Sequence, residues 1–153
     1  MTAPADRNGE KPPVSALKPT ILVVDDSPTI RRMVKVALRV VPDAAFVEAG
    51  NGLEAIEKLT LEPISLIVLD LNMPDMHGLE VLAFVRRHPT HRDLPVIVLT
   101  TRGDEDSRDK ALAAGASLYL TKPFIPQLLA EHVVTCLASR SLRAPVERDR
   151  VEP

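Results

Sequence analysis

The chain has 153 residues, enough for one domain with a real hydrophobic core and too few for two full ones. A formal charge of −2 offers no broad basic footprint for nucleic acid or an anionic membrane, and the lack of Trp argues against base-stacking platforms. One cysteine, Cys136, cannot form an internal disulfide, and neither a signal core nor a span-length apolar run is present, so a reducing, cytoplasmic setting is expected.

Residues 1–18 carry Pro4, Gly9, Pro12 and Pro13 with mixed charge and no apolar periodicity, which predicts a flexible tail. Residues 19–140 form one block without repeats, and 141–153, rich in Arg, Glu and Pro, read as a second tail. Within the block, short apolar runs alternate with helix-length amphipathic stretches. The runs are Ile21–Val24, Ala44–Val47, Leu66–Leu69, Val96–Leu99 and Leu118–Leu120; three of them are read as continuously apolar, as in strands covered on both faces.

Ser27-Pro28 predicts a helix start, a hydroxyl cap followed by proline at the first position. Ile30, Met33, Val34, Ala37, Leu38 and Val41 then recur at helical spacing as one buried stripe. Gly50-Asn51-Gly52 breaks the chain before a helix near Leu53–Leu61, and a third helix follows Gly78 with Leu79, Leu82, Ala83 and Val85 in or near its stripe. Asp104, Glu105 and Asp106 place negative charge at the start of a fourth helix, whose dipole favours it. That helix has a thin stripe (Ala111, Leu112, Ala114) and ends at Gly115; Pro126 opens a fifth, running to about Ala138. The doublets Arg31-Arg32 and Arg86-Arg87 read as solvated helix faces, and His77, His88, His91 and His132 show no metal-ligand spacing.

Five strands alternating with five helices imply parallel pairing and right-handed crossovers, a three-layer α/β sheet covered on both sides. Such sheets bind ligands beyond the carboxyl ends of their strands. There the chain carries Asp25-Asp26, Asp70, Thr100 and Lys122-Pro123. Each has a plainer reading: Asp25-Asp26 and Asp70 as turn residues, Thr100 as a β-branched strand residue, Lys122 as a surface lysine. Together, at four separate strand ends, they make a set suited to phosphoryl transfer. A like-charge carboxylate pair about 4 Å apart costs about 4 kcal/mol at an effective dielectric near 20. Lys122 offsets one charge, and a hard divalent cation such as Mg²⁺ suits the remaining oxygens. A carboxylate can itself be the nucleophile, and Asp70, alone at the end of a central strand, is the best candidate.

These residues lie in the segments ILVVDDSPTIRR, LIVLDLNMPDMHGLEVL, VIVLTTRGDE and ALAAGASLYLTKPF, in which the chain resembles the receiver domains of response regulators across about residues 19–140. The resemblance implies a doubly wound, flavodoxin-like sheet of order 2-1-3-4-5. It implies Asp70 as phosphoacceptor, and Mg²⁺ held by Asp25, Asp26, Asp70 and the main-chain carbonyl of Asn72. Thr100 and Lys122, joined by a cis peptide to Pro123, would bind the phosphoryl group. Tyr119 would be the switch aromatic, and Gly78 would serve a backbone conformation that other residues resist. It implies a histidine kinase or phosphotransfer protein as donor, docking near Pro28, Thr29, Arg32 and Phe124. A downstream protein target would meet the face made by the fourth helix, fifth strand and fifth helix, with no nucleic acid or membrane involved.

Departures from the family pattern are Thr101, whose branched side chain narrows access to Asp70, and Arg102 and Asn72, at positions that influence phosphoryl lifetime. Ile125 and Leu128 replace polar residues and form either an apolar spot on the output face or core packing. Two rival functions remain: a haloacid-dehalogenase-type phosphatase, whose Asp-x-Asp nucleophile loop follows the first strand and whose acidic metal pair comes late, the inverse of the order here, and whose cap domain is missing, and a flavodoxin-like binding module, whose phosphate loop would need Gly, Ser and Thr where Asp25-Asp26 stand. The chain is expected to be a single-domain regulator, the alternative being a receiver fragment of a larger response regulator or hybrid kinase.

Overall fold

Five parallel strands form one sheet in the order β2-β1-β3-β4-β5, which is the order the resemblance implies. The computed structural model describes the backbone of residues 18–101 and 105–151 and the side chains of 18–101 and 105–139. The strands are β1 (Thr20–Val24), β2 (Ala45–Ala49), β3 (Leu66–Leu69), β4 (Val96–Thr101) and β5 (Leu118–Lys122). The helices are α1 (Pro28–Ala37), α2 (Gly52–Leu61), α3 (Gly78–Arg87), α4 (Glu105–Ala113) and α5 (Pro126–Val151), with a short 3₁₀ turn over Leu38–Val40. The segment expected to be an N-terminal tail lies outside the described residues except for Lys18, as do Arg102 and Asp104.

The inner strands β1, β3 and β4 are buried along almost their whole length, whereas the edge strands β2 and β5 include Glu48, Thr121 and Lys122 and are mostly only partly buried. The two-residue period of a strand splits the core in two. Leu22, Val24, Ile67, Leu69, Val96 and Val98 face α2 and α3, with Ala55, Leu59, Leu82 and Val85 packed on them. Ile21, Val23, Leu66, Val68, Ile97 and Leu99 face α1 and α5, meeting Val34, Leu38, Leu129 and Val133.

Local signals set the helix starts. Ser27 accepts from the Ile30 amide at 3.2 Å, and Asn51 accepts from the Glu54 amide at 2.8 Å while Glu54 reaches back to the Gly50 amide. Met33, expected in the buried stripe of α1, is 48% exposed. Ile30, Val34, Leu38 and Val41 share one direction, and Met33 falls at the edge of that arc. The backbone of α5, expected to stop near Ala138, is helical through Val151. Apolar periodicity fades after Leu137, and the Arg, Leu, Ala and Glu that follow favour a helical backbone without an apolar stripe, against the opposing preference of Pro145 among them.

Arg86 is not a solvated helix residue. Its guanidinium donates to the carbonyls of Gly115 (2.7 and 3.0 Å), Leu94 (2.7 Å) and Arg92 (3.0 Å). It thus ties the end of α3 to the loop before β4 and to Gly115 beyond α4, where a φ of +110° suits glycine alone. Arg86→Ala leaves these carbonyls without their charged donor and is expected to lower unfolding free energy by about 2 kcal/mol in urea melts. Arg86→Lys, lacking the planar fork, recovers only part of it.

Candidate functional site

Parallel register brings the ends of β1, β3, β4 and β5 to one edge, and the polar residues that follow them gather there. Asp25, Asp26 and Asp70 each offer a carboxylate oxygen, and these atoms all lie within 4.8 Å of one another. Asp25 and Asp70 are each only 3% exposed, while Asp26 lies open at the rim. Lys122 reaches between the buried pair, its Nζ 2.7 Å from Asp25 Oδ2 and 3.6 Å from Asp70 Oδ1. The Lys122–Pro123 peptide is cis. Thr100, fully buried, donates its hydroxyl to Asp70 Oδ1 at 2.9 Å.

Asp25 is fixed from two further directions. The Ser27 amide donates to its Oδ1 at 2.9 Å, and the Arg31 guanidinium donates to its main-chain carbonyl at 2.6 Å while pairing with Glu48 on β2 at 2.8 Å. Arg31 is a positioning residue that sequence reasoning missed. One helical turn past the Ser27 cap, it resembles the solvated Arg32 beside it, and only its fold-made neighbours separate the two.

Gly78 corrects an expectation. It is the first residue of α3 and does not have a left-handed φ. It is small because a Cβ there would stand 2.4 Å from the Asp70 carbonyl oxygen and 2.7 Å from Leu71 Cα. Close approach between the start of α3 and the acceptor loop requires glycine, not backbone handedness.

Thr101 and Asn72 are exposed on the rim, and the Asn72 amide donates to the hydroxyls of both Thr101 and Thr100. Tyr119, half-buried on β5, packs against the core cluster that contains Val98 and Ala111, with its hydroxyl 3.4 Å from Ser107 Oγ on α4. Of the residues expected to dock a donor, Pro28, Thr29 and Arg32 are exposed at the start of α1, whereas Phe124 packs partly against the α1 and α5 side of the core. Ile125 beside it is 60% exposed and Leu128 43% exposed, so both belong to the surface.

Burial pushes the Asp70 carboxyl above the ordinary carboxylate range. The charge of Asp25 adds to this, against the opposing pull of the Thr100 hydroxyl, Lys122 and the Asn72 main-chain amide. Three crowded carboxylates, two of them buried, with one ammonium between them fit a hard divalent cation with oxygen ligands.

The response regulator receiver domain model matches residues 21–134. This chain belongs to the response-regulator receiver family. It is 40% identical over 122 residues to the chemotaxis protein CheY homolog of Campylobacter jejuni, covering 79% of this chain and 94% of that protein. It is 34% identical over 129 residues to the cyclic di-GMP phosphodiesterase response regulator RpfG of Xanthomonas campestris, covering 84% of this chain but 34% of RpfG. The Vibrio cholerae chemotaxis protein CheY4 superposes with a TM-score of 0.73 at 32% identity, covering 78% of this chain and 99% of that one. Receiver domains are signalling proteins rather than classical enzymes, bind Mg²⁺ at an acidic pocket and engage histidine kinases or phosphotransfer proteins.

A raised Asp70 pKa means that the folded receiver binds the proton more tightly than the unfolded chain does. Ionisation of Asp70 therefore costs stability as pH rises through its folded-state pKa, and no cost remains below the ordinary carboxylate range. Asp70→Asn is expected to raise the metal-free melting midpoint at pH 7 by a few degrees, the scale of about 1 kcal/mol in a domain of this size. The gain disappears near pH 4, and added Mg²⁺ stabilises the wild type more than the variant. Differential scanning fluorimetry in EDTA and in Mg²⁺ reads all three.

Proposed function

We propose that this receiver is a phosphorylation-activated switch in which Asp70 accepts a phosphoryl group from a histidine kinase or phosphotransfer protein. The observation that carries the reading is the buried carboxylate of Asp70, bonded by the Thr100 hydroxyl and 3.6 Å from the Lys122 ammonium, beside the carboxylates of Asp25 and Asp26.

Asp25, Asp26, Asp70 and the main-chain carbonyl of Asn72 would hold Mg²⁺, which when bound neutralises phosphoryl oxygens and the crowded carboxylates. An Asp70 carboxylate oxygen attacks phosphorus, the donor's P–N bond breaks, and its electron pair stays on the imidazole nitrogen, which takes up a proton. The product is an acyl phosphate on Asp70. Lys122 supplies the protein's own positive charge to the phosphoryl oxygens, and Thr100 exchanges its Asp70 acceptor for one of them.

The consequence is a population shift toward an arrangement in which Thr100 has moved and Tyr119 has turned inward. Reversing a 1:99 ratio to 99:1 requires about 5.5 kcal/mol of differential interaction. Ala111 is the only fully buried residue of α4, so this helix is held loosely and is suited to follow Tyr119 through the Ser107 contact. The downstream protein would meet the face of α4, β5 and α5, where Leu112, Ile125 and Leu128 are exposed, and the donor would dock on Pro28, Thr29, Arg32 and the loop around Phe124. Among the described residues no helix is long and apolar enough to cross a membrane, and we place the switch in the cytoplasm with its family. RpfG, of which the aligned part is a minor share, supports a second reading, a receiver within a larger regulator.

Incubating the full chain with acetyl phosphate and Mg²⁺ is expected to add one phosphoryl group by intact mass, and Asp70→Asn is expected to remain unmodified. Equal modification of both proteins removes Asp70 as the acceptor.

A further inference from the structure

Thr100 and Thr101 are successive residues at the end of β4, one buried and one exposed, yet a single amide bonds both hydroxyls. Asn72 Nδ2 lies 3.3 Å from Thr100 Oγ1 and 3.1 Å from Thr101 Oγ1. The hydrogen of Thr100 is committed to Asp70 Oδ1, so its oxygen meets Asn72 only as an acceptor. These bonds cross the rim of the pocket and join the loop after β3 to the end of β4, around the side chain on which switching turns.

We propose that Asn72 and Thr101 form a latch that holds Thr100 in the unmodified arrangement, an inference that rests on the receiver function above. The Asn72 amide has two hydrogens and spends them on two hydroxyls. When Thr100 moves toward a phosphoryl oxygen, the amide cannot keep both partners. Following Thr100 breaks its bond to Thr101, and staying with Thr101 releases Thr100. Either way the active arrangement has one hydrogen bond fewer at this rim, and a bond made in only one of two states biases their ratio. A net neutral hydrogen bond corresponds to about fivefold in an equilibrium constant.

Tyr119 is the sole tyrosine and the chain has no tryptophan, so intrinsic fluorescence reports on β5 beside the site alone. The full chain is titrated with beryllofluoride, a phosphoryl mimic, at saturating Mg²⁺. Thr101→Val keeps the branched shape without the acceptor, and Asn72→Leu removes the donor. Each is expected to tighten the midpoint about fivefold. The double variant goes no further than the stronger single one, because the two changes remove the same bond. Thr101→Ser, which retains the hydroxyl, returns the wild-type midpoint. A role in stability alone would lower the melting midpoint without tightening the titration. Unchanged or weaker binding by Thr101→Val, or additive effects in the double variant, overturns the latch while leaving the receiver function intact. A wild type without any response removes the receiver reading and the latch with it.

Discussion

A carboxylate at the end of the central strand, almost out of reach of water and beside a second buried carboxylate, is the constraint around which this molecule is organised. A buried charge is costly unless paired, and a like charge nearby raises the cost. Here Lys122 is shared by two acids, bonding Asp25 at 2.7 Å and standing farther from Asp70 at 3.6 Å. Asp70 keeps the Thr100 hydroxyl and the Asn72 main-chain amide as its other support, and its affinity for protons stays raised. The same deficit of positive charge makes the pocket receptive to a divalent cation.

The fold supplies the rigidity that such crowding demands. Backbone hydrogen bonds of a sheet buried on both faces fix the strand ends, and the Ser27 cap and Arg31 then fix Asp25 against them. Gly78 lets α3 begin close to the Asp70 carbonyl, and Arg86 fastens the opposite ends of α3 and α4 far from the chemistry. By contrast α4 is thinly anchored: its one fully buried side chain is Ala111, and the Tyr119 hydroxyl of β5 lies 3.4 Å from Ser107 Oγ on it.

The surface follows from the same division. The α1 and α5 side carries Pro28, Thr29 and Arg32 in the open, while Phe124 turns partly into the core and leaves Ile125 outside. The sequence left Ile125 and Leu128 open between core and surface because position on a helix gives spacing but not direction. Only the packing of Leu129, Ala130 and Val133 against the sheet shows which arc of α5 is covered.

The alternation of apolar runs with amphipathic stretches determined the element order and implied a parallel sheet covered on both faces, whereas the order of the strands in the sheet came only from the family resemblance. The strand-end chemistry was legible from the same runs, since Asp25, Asp26, Asp70, Thr100 and Lys122 each follow an apolar run. What the chain did not reveal were contacts that cross between elements. Arg31 on Asp25, Arg86 on three loop carbonyls, Asn72 on two threonines and the clearance beneath Gly78 all join residues with no periodic relation in sequence. Hydropathy and propensity act along the chain and are visible in it, whereas hydrogen bonds and close approaches of this kind exist only once tertiary packing has brought distant segments within about 3 Å.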